Sequence, residues 1–380
     1  MQKNSLRLSK SVVGQAEAEA VSRVILEDGY LGMGREVQNF EAEIAAYLGV
    51  PAETVMCVSS GTAALHLAVE AVTRPGDEVL VQSLTYVASF QAISAARAVP
   101  VACEVDPATL TLDLEDAAHR VTERTRAVMP VHYASNPGNL EAIYRFAERF
   151  GLRVIEDAAH AFGCTYQGRR IGSFGNVVCF SFDGIKNITS GEGGAVVTCD
   201  AGVAERIRDA RLLGVERDTS RRYAGGRSWE FDVKRQGYRY HMSNLFAAIG
   251  RVQLGRLDSE FAPARVALAG HYRQHLQGMA GLRLLDSELG AVVPHIQPVL
   301  IEGGRRDSVR AYLEGQGIAT GVHYQPNHLL SLYGGGRMSL PVTESLYEAL
   351  LTLPLHPELT LADVDRICAV LAAALTGCLR

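Results

Sequence analysis

The chain has 380 residues and a formal net charge of −5, with 47% hydrophobic and 21% charged residues. This composition is typical of a globular protein with a substantial core, and the length favours one large domain plus a smaller one. The mildly acidic charge argues against a general nucleic-acid binder. Because no apolar run approaches ~18 residues, we expect no membrane-spanning helix.

The cysteines and the first residues indicate the cellular compartment in which the protein is expected. Seven cysteines are scattered, with no CxxC pair and no histidine partner at zinc spacing, so we expect neither a disulfide framework nor a metal at the site. An odd number of thiols fits a reducing compartment. The opening MQKNSLRLSKSVVG lacks an apolar signal segment, and a cytoplasmic location is expected by elimination.

Two amphipathic helices are predicted first, at residues 15–28 and 36–48, where apolar residues recur at helical spacing. A short apolar strand, Val55–Val58, then leads through SSGTAA into a helical run at 65–72. A Ser/Gly/Thr turn at a helix start presents unpaired backbone N–H groups to an anion, so this turn is a candidate phosphate site. An ordinary helix cap by one of its hydroxyls is the alternative.

The next strand, Glu78–Gln82, ends in a strand-to-helix junction that holds Tyr86. An aromatic side chain there can stack on a planar ligand ring, although an isolated tyrosine is more often part of a core. Further strands are predicted at 99–104, 127–131 and 154–156, and a helix at 139–150. Repeated β–α units imply a largely parallel sheet covered by helices, with ligands at the carboxyl ends of the strands.

The stretch 155–194 holds the candidate chemistry. Asp157 ends an apolar strand, and a second apolar run, Val177–Phe182, leads to Lys186 and then through a glycine cluster to a strand at 195–198. A desolvated lysine amine loses its proton more easily and can attack an aldehyde, while a carboxylate can keep a pyridine nitrogen protonated. The pair therefore predicts a pyridoxal phosphate site. The alternative is that Lys186 is solvated and Asp157 merely caps a helix.

Written out, this stretch reads IEDAAHAFG, then GSFG, FSF, a lysine and GEGG, in that order. It resembles the DegT (StrS)-type sugar-nucleotide aminotransferases, a branch of the fold-type I pyridoxal phosphate enzymes with the aspartate aminotransferase fold. The likeness extends from GYLGMGREVQNFE to LPLHPELT. It implies an α/β fold: a three-layer α/β/α large domain around a mostly parallel sheet at residues 1–255, and a small α+β C-terminal domain at 256–380.

The resemblance also implies roles for single residues at the cofactor site. Lys186 is the catalytic residue and bonds covalently to pyridoxal 5′-phosphate, Asp157 faces the ring nitrogen, and Tyr86 stacks on the ring. His160 lies near the phenolic oxygen, unless it is simply a helix-packing histidine. The residues implied to hold the cofactor phosphate are Gly61, Thr62, Ala63 and Ser181.

Two later segments also carry the resemblance. GYRYHMS, at 237–243, matches a G-Y-x-Y-x-[ML]-[ST] segment that reaches the partner subunit's cofactor phosphate in a homodimer, and Arg239 and His241 occupy its variable places. HYQPNH, at 323–328, resembles the HYxPLH segment that lines the substrate side of the cleft. The substrate candidates on it are His323, Tyr324 and His328.

A flexible basic loop is predicted from Arg217 to Arg227, after a helix predicted at 200–213, and the sole tryptophan, Trp229, lies beside it. Its arginines could meet the diphosphate of a sugar nucleotide, while a solvated loop or subunit contact is the more usual role. The remaining predicted elements are helices at 245–257, 261–282, 308–316 and 361–375, and strands within 292–300 and at 317–323.

The resemblance implies a transaminase that moves an amino group from an amino acid, by family habit L-glutamate, to a nucleotide-linked keto sugar, an NDP-4-keto-6-deoxyhexose. The product would enter amino-sugar biosynthesis for an O-antigen, surface glycan or natural-product glycoside. A 3-keto sugar or a keto-cyclitol such as scyllo-inosose is the alternative acceptor. We expect a homodimer with shared active sites, and no nucleic-acid or membrane partner.

Particular residues count against two functions outside this activity. A related branch that dehydrates sugars carries histidine at the lysine position, so Lys186 counts against it. A non-catalytic regulatory or binding protein on the same scaffold is the alternative from a different class. The joint presence of Asp157, Ser181 and Lys186 counts against that alternative.

Overall fold

A computed structural model describes residues 5–216, 218–226, 229–286, 288 and 290–377. Its strands are β1 Val55–Val58, β2 Glu78–Gln82, β3 Val99–Cys103, β4 Thr125–Met129, β5 Arg153–Asp157, β6 Thr165–Tyr166, β7 Arg169–Arg170, β8 Val177–Ser181, β9 Gly194–Val197, β10 Leu282–Leu284, β11 Gln297–Ile301 and β12 Leu350–Leu353.

The helices are α1 Gln15–Arg23, α2 Arg35–Leu48, α3 Gly61–Val72, α4 Val87–Ala95, α5 Leu114–His119, α6 Leu140–Phe150, α7 Ala201–Ala210, α8 Asp218–Tyr223, α9 Asn244–Arg256, α10 Ala262–Leu276, α11 Arg306–Gly315, α12 Pro341–Ala349 and α13 Leu361–Leu375. A π-helical turn, Val24–Asp28, continues α1, and another, Leu257–Phe261, joins α9 to α10.

A seven-stranded sheet with the order β1-β9-β8-β5-β4-β2-β3 forms the centre of the fold. Strands β3, β2, β4, β5 and β8 pair in parallel, whereas β9 runs antiparallel to both of its neighbours, β8 and β1. The expectation of an α/β fold with a mostly parallel sheet is therefore confirmed.

Alternate residues of each strand point to opposite faces of the sheet, and each face carries its own helical layer. On one face, Val55 and Cys57 of β1 belong to a core shared with helices α2 and α6. On the other, Met56 and Val58 pack in a core with α3, α4 and α7. The strands are buried on both sides, which explains why they read as continuous apolar runs in the sequence.

A second, smaller sheet is antiparallel, with the order β10-β11-β12. It shares an apolar core with α10, α11 and α13, which we call the second core; its members range from Leu268 to Leu375. Leu257 and Phe261 still pack in the large core, so the change of core falls within α10. The domain boundary after residue 255 stays a prediction.

The strand predicted at 317–323 is wrong. The segment makes isolated bridges only, from Ile318 to Leu6 and from Gly321 to Thr352. Because the two bridges go to different partners, no ladder of paired residues can form. The apolar alternation of this segment instead reflects burial of Ile318 in the second core.

Residues 6–11 form an N-terminal strap that crosses the second core. The Leu6 amide donates to the carbonyl of Gly317, and the Leu8 carbonyl accepts from the amide of Leu355. Ser11 Oγ then donates to the carbonyl of Gly184, two residues before Lys186. Within the described ranges, none of the helices combines the length and apolar character that a bilayer crossing requires.

Candidate active site

The strand order brings several polar residues to one edge of the sheet. Asp157 is the last residue of β5 and Ser181 the last of β8, while the turn before α3 follows the end of β1. All three strands run in the same direction, so their carboxyl ends lie along a common edge. This places the predicted acidic residue and the predicted phosphate turn on the same side of the molecule.

Asp157 is buried and held by two hydrogen bonds. Ser89 Oγ donates to Oδ2 at 2.7 Å, and the Ala159 amide donates to Oδ1 at 3.2 Å. Ser89 is itself 2.9 Å from Thr85 Oγ1. Burial raises the pKa of the Asp157 carboxyl, and these hydrogen bonds and the charge of Lys186 oppose that rise. The carboxylate is thus fixed in one orientation, and a positively charged group beside it favours its ionised form.

Lys186 lies in the segment between β8 and β9, where the chain turns back at the carboxyl edge. Its amide donates to the carbonyl of Asp183. Desolvation lowers the pKa of the Lys186 amine to about 8, although the carboxylates of Asp157 and Asp183 favour the charged form. Roughly a tenth of the amine is therefore neutral, and hence nucleophilic, at pH 7, far more than for an ordinary lysine.

Three imidazoles and a phenol surround the lysine. The Lys186 amine is 3.5 Å from Nε2 of His295, whose ring packs 4.4 Å from that of His160. His160 Nε2 shares a 3.0 Å hydrogen bond with the Tyr324 hydroxyl. Burial lowers the pKa of His160 and His295 well below the usual value, and that of His323 to about 4. These rings are neutral at physiological pH and enclose the amine without adding charge.

The start of α3 is built for close approach to β8. Ser60 caps the helix, its Oγ accepting from the Ala63 amide at 3.1 Å. A Cβ atom at Gly61 would lie 2.7 Å from Cβ of Ser181, so glycine is required here. Gly61 and Thr62 supply the first amides of the helix, which lack intrahelical acceptors. Ser60 can therefore cap the helix while the amides of Gly61 and Thr62 stay available to an anion. The Ala63 amide is already bonded to Ser60.

Tyr86 precedes α4, and its side chain is 57% exposed, so it is not a core residue. Its ring centroid lies 5.4 Å from that of Tyr324, which in turn contacts His160. A planar ring placed between Tyr86 and the enclosed lysine would bury the exposed face of the tyrosine.

Comparison with known protein families identifies the family of this chain. The sequence pattern of the DegT/DnrJ/EryC1/StrS aminotransferase family matches residues 12–372. The chain belongs to this family. It is an aminotransferase by membership, and its Lys186 and Asp157 stand at the edge of the sheet where the aminotransferase resemblance implied a site.

Solved structures agree with the family assignment. The chain is similar to the aminotransferase TlmJ from Streptoalloteichus hindustanus, with a TM-score of 0.91, 35% identity and 98% of this chain and 99% of that chain covered. It is also similar to the sugar aminotransferase CalS13 from Micromonospora echinospora, with a TM-score of 0.88 and 30% identity over 98% of this chain and 100% of that chain. Spr1654 from Streptococcus pneumoniae, solved in a PLP form, has a TM-score of 0.88 and 26% identity over 98% of this chain and 99% of that chain.

The family's G-Y-x-Y segment lies beside the phosphate turn of this same chain. The Ser59 amide donates to the carbonyl of Tyr240, and His241 bridges to Val58 of β1. The side chain of Arg239 is exposed. Burial and nearby arginines lower the pKa of His241 to about 4, so it offers a neutral imidazole. Contact of Arg239 or His241 with a partner subunit stays a prediction.

The HYQPNH segment divides between two environments. His323 Nδ1 lies 2.9 Å from Thr352 Oγ1 and Tyr324 reaches His160, so both lie close to Lys186. His328 instead lies 2.7 Å from Ser83 Oγ through Nδ1 and 3.1 Å from Glu344 through Nε2. With both ring nitrogens bonded and a buried side chain, His328 braces the loop that leads to Tyr86. Its contact with substrate stays a prediction, and the geometry favours the bracing role.

Most of the basic stretch predicted as a loop after β9 is ordered as α8. Arg222 donates to Asp218 at 2.7 Å, one turn away on that helix. Arg217 and Arg227 lie outside the described residues. Trp229 is 85% exposed and Phe231 is exposed beside it. A contact of this stretch with a ligand or with a partner subunit stays a prediction.

Sequence reasoning missed three residues of the site. Ser89 and Thr85 flank Tyr86 at the same strand-to-helix junction, so their hydroxyls could have been assigned to that edge. Nothing near His295 in the sequence indicated its role, since its contact with Lys186 spans 109 positions. It is held from the other side by buried Arg265, which donates to the main-chain carbonyls of Pro294 and His295 at 3.2 Å.

Proposed function

We propose that the chain is a pyridoxal phosphate-dependent aminotransferase that moves the amino group of L-glutamate to a nucleotide-linked keto sugar, an NDP-4-keto-6-deoxyhexose. One observation carries the proposal: a partly buried amine, Lys186, whose pKa is lowered to about 8, shares its site with the buried carboxylate of Asp157. The description of CalS13 as a sugar aminotransferase and the PLP form of Spr1654 support the sugar and the cofactor.

The residues present fit pyridoxal phosphate. Asp157, fixed by Ser89 and the Ala159 amide, would face the ring nitrogen. The start of α3, with Gly61 drawn tightly against Ser181, offers amides and a hydroxyl to a phosphate. Tyr86 would cover one ring face. When bound, the cofactor supplies an aldehyde for covalent attachment and a conjugated ring that accepts an electron pair.

Lys186 then has two tasks. Its neutral amine attaches the cofactor, which requires the lowered pKa. Once displaced by the amino donor, Nζ would take the proton from the α-carbon of the amino acid and deliver it to the cofactor's C4′. Both tasks need a deprotonated nitrogen that is shielded from water, and the neutral rings of His160 and His295 provide that shielding.

Asp157 and Ser89 act through charge. The carboxylate would keep a pyridine nitrogen protonated, and Ser89 favours the ionised carboxylate by donating to Oδ2. Tyr324 and His323 face the same enclosure and are the residues we assign to the substrate side. A homodimer in which Arg239 or His241 reaches the partner's cofactor phosphate completes the proposal.

The cofactor assignment is tested by borohydride reduction and peptide mass spectrometry. The chain contains four lysines, at positions 3, 10, 186 and 234, so the attachment site can be read directly. We expect the pyridoxyl group on Lys186. Lys186→Ala should carry no covalent pyridoxyl group after reduction and should lose transamination, whereas Lys234→Ala, which changes a 65% exposed side chain, should keep both. Reduction that labels Lys186→Ala as strongly as wild type would overturn the assignment.

The acceptor is tested separately, by release of 2-oxoglutarate from glutamate. Nucleotide-linked 4-keto sugars, 3-keto sugars and scyllo-inosose are offered in parallel at equal concentration. We expect turnover with the 4-keto sugars. Preference for a 3-keto sugar or the cyclitol would replace the proposed substrate while leaving the aminotransferase chemistry in place.

A further inference from the structure

Two histidines and an aspartate meet on the surface of the second core, remote in sequence from the residues around Lys186. His271 and His275 lie on α10, and Asp365 lies near the start of α13. Asp365 Oδ1 is 2.7 Å from Nε2 of His271 and 2.9 Å from Nε2 of His275. One nitrogen from each histidine and one carboxylate oxygen all lie within 4.8 Å of one another.

The local structure explains why these donors converge. Residues four apart on a helix share a face, so the imidazoles of His271 and His275 stand one above the other, with ring centroids 4.6 Å apart. The adjoining face of α10 is buried through Leu268, Tyr272 and Leu276. Both backbones are therefore held by the core, and the donors are presented by rigid elements, as a preformed site requires.

Helix α13 is fixed in the same way. Its start is capped reciprocally by Thr360 and Asp363, and Val364 and Cys368 bury its inner face in the second core. Asp365 stands next to that buried face and points its carboxylate at α10. The position of its backbone thus follows from the packing of the two helices.

We propose that His271, His275 and Asp365 bind a divalent transition-metal ion, with Zn²⁺ as the ion that suits the donors best. Two imidazole nitrogens and one carboxylate oxygen are the donor types that Zn²⁺ accepts, and water completes the coordination. The side chains of His271, His275 and Asp365 are 21%, 43% and 53% exposed, so an ion enters from solvent without disturbing the core.

The geometry needs only a small adjustment. Donors around a tetrahedral zinc ion at ~2.0–2.1 Å stand about 3.3 Å apart. The Oδ1 atom of Asp365 must therefore move back by about half an ångström from the two nitrogens, and the two nitrogens, which lie within 4.8 Å of each other, must reach the same spacing by rotation of their side chains. Each Nε2 gives its lone pair to the ion, so the remaining proton of each imidazole resides on Nδ1.

A bound ion would join α10 to α13 across the second core. It would stabilise the folded state by an amount that grows with the logarithm of the ratio of free ion to dissociation constant, because the unfolded chain does not hold the three donors together. The inference does not depend on the cofactor or on the sugar substrate, since the three residues are not part of the Lys186 site.

The test uses the holoenzyme, freed of excess cofactor and treated with EDTA. Calorimetric titration with Zn²⁺ should give one equivalent per chain, and Co²⁺ should give a visible ligand-field band beyond the cofactor absorption. His275→Gln and Asp365→Asn should each weaken Zn²⁺ binding at least about tenfold and remove the cobalt band. The thermal midpoint of wild type should rise with added Zn²⁺, and that of the variants should not.

Two control variants separate this site from other donors. Cys199→Ser removes the exposed thiol, and His119→Gln removes a histidine at the end of α5; both should bind Zn²⁺ as wild type does. Circular dichroism and the midpoint without metal confirm that each variant is folded. Unchanged Zn²⁺ affinity in Asp365→Asn, or loss of binding in Cys199→Ser, would exclude the proposed site and leave the cluster as an interhelical hydrogen-bonded pair only.

Discussion

The amine of Lys186 lies 3.5 Å from Nε2 of His295, at the meeting point of the sheet edge and the segment that enters β11. A neutral imidazole at this distance excludes water from the amine and adds no positive charge. The lysine therefore keeps a lowered pKa even though two carboxylates favour its charged form. Several measurable consequences follow from this balance.

The first concerns the titration of Lys186. In cofactor-free protein, we expect the rate of competitive acetylation of Lys186 to rise with pH through a midpoint near 8. Exposed Lys234 serves as the internal reference in the same digest. In Asp157→Asn the midpoint should move to lower pH, because the carboxylate that stabilises the ammonium form is removed. A midpoint that stays in place or rises in this variant would contradict the assigned coupling.

Replacement of His295 should act in the opposite direction. His295→Ala opens space for water beside Lys186, so the pKa of the amine should rise toward that of an ordinary lysine and its acetylation midpoint should move up. His295→Gln keeps most of the volume and should produce the smaller change. Equal midpoints in wild type and His295→Ala would show that other residues desolvate the amine.

Ser89 is expected to set the acidic limb of the activity profile. Its hydrogen bond lowers the pKa of Asp157, which burial has raised, so in Ser89→Ala the carboxyl takes up its proton at higher pH. The acidic limb of kcat/KM should shift to higher pH. Thr85→Val is the matched control, since Thr85 contacts Ser89 and not Asp157, and its shift should be smaller. Identical limbs for wild type and Ser89→Ala would remove Asp157 as the group that controls this limb.

The contact of Gly61 with Ser181 should be essential for phosphate binding. In Gly61→Ala the added methyl meets Cβ of Ser181 at 2.7 Å, so the start of α3 must move away from β8. Titration of the cofactor-free protein should show at least about tenfold weaker pyridoxal phosphate binding. Gly255→Ala adds a methyl where nothing lies within 4 Å, and its affinity should match wild type. Equal affinity of the two variants would disprove the role of this turn.

Loss of a buried ion pair away from the site should lower the free energy of unfolding strongly. Arg211 is fully buried and donates to Glu41 Oε1 at 2.5 Å, and the Tyr223 hydroxyl also contacts Glu41. Glu41→Gln leaves the guanidinium without its counter-charge and should cost about 3–5 kcal/mol in the free energy of unfolding by urea. Glu141→Gln breaks an exposed pair with Arg145 and should change it by less than about 1 kcal/mol.

The mostly parallel sheet and the position of Asp157 at its carboxyl edge were predictable because they depend on local pattern and on the rule that parallel strands end at one edge. Apolar runs buried on both faces are hard to mistake when turn residues separate them. The contact of His295 with Lys186 was not predictable, since it depends on how β11 and its preceding segment approach the sheet. No local feature encodes that approach.

Two errors have the same origin. Residues 317–323 have the alternation of a strand, yet Ile318 and Gly321 pair with different partners. The basic stretch that contains Asp218–Tyr223 has the composition of a loop, yet it is helical, and Tyr223 contacts buried Glu41 and Arg211. In both cases long-range partners, and not local propensity, select the conformation.

The N-terminal strap has a practical corollary for anyone who handles this protein. Through Leu6 and Leu8 it is bonded to the second core, and through Ser11 it is bonded to the carbonyl of Gly184. Proteolytic trimming of these residues, or a purification tag fused directly before them, would therefore loosen the segment that carries the reactive amine. When the activity of a preparation is measured, residues 6–11 should be checked for intactness at the same time.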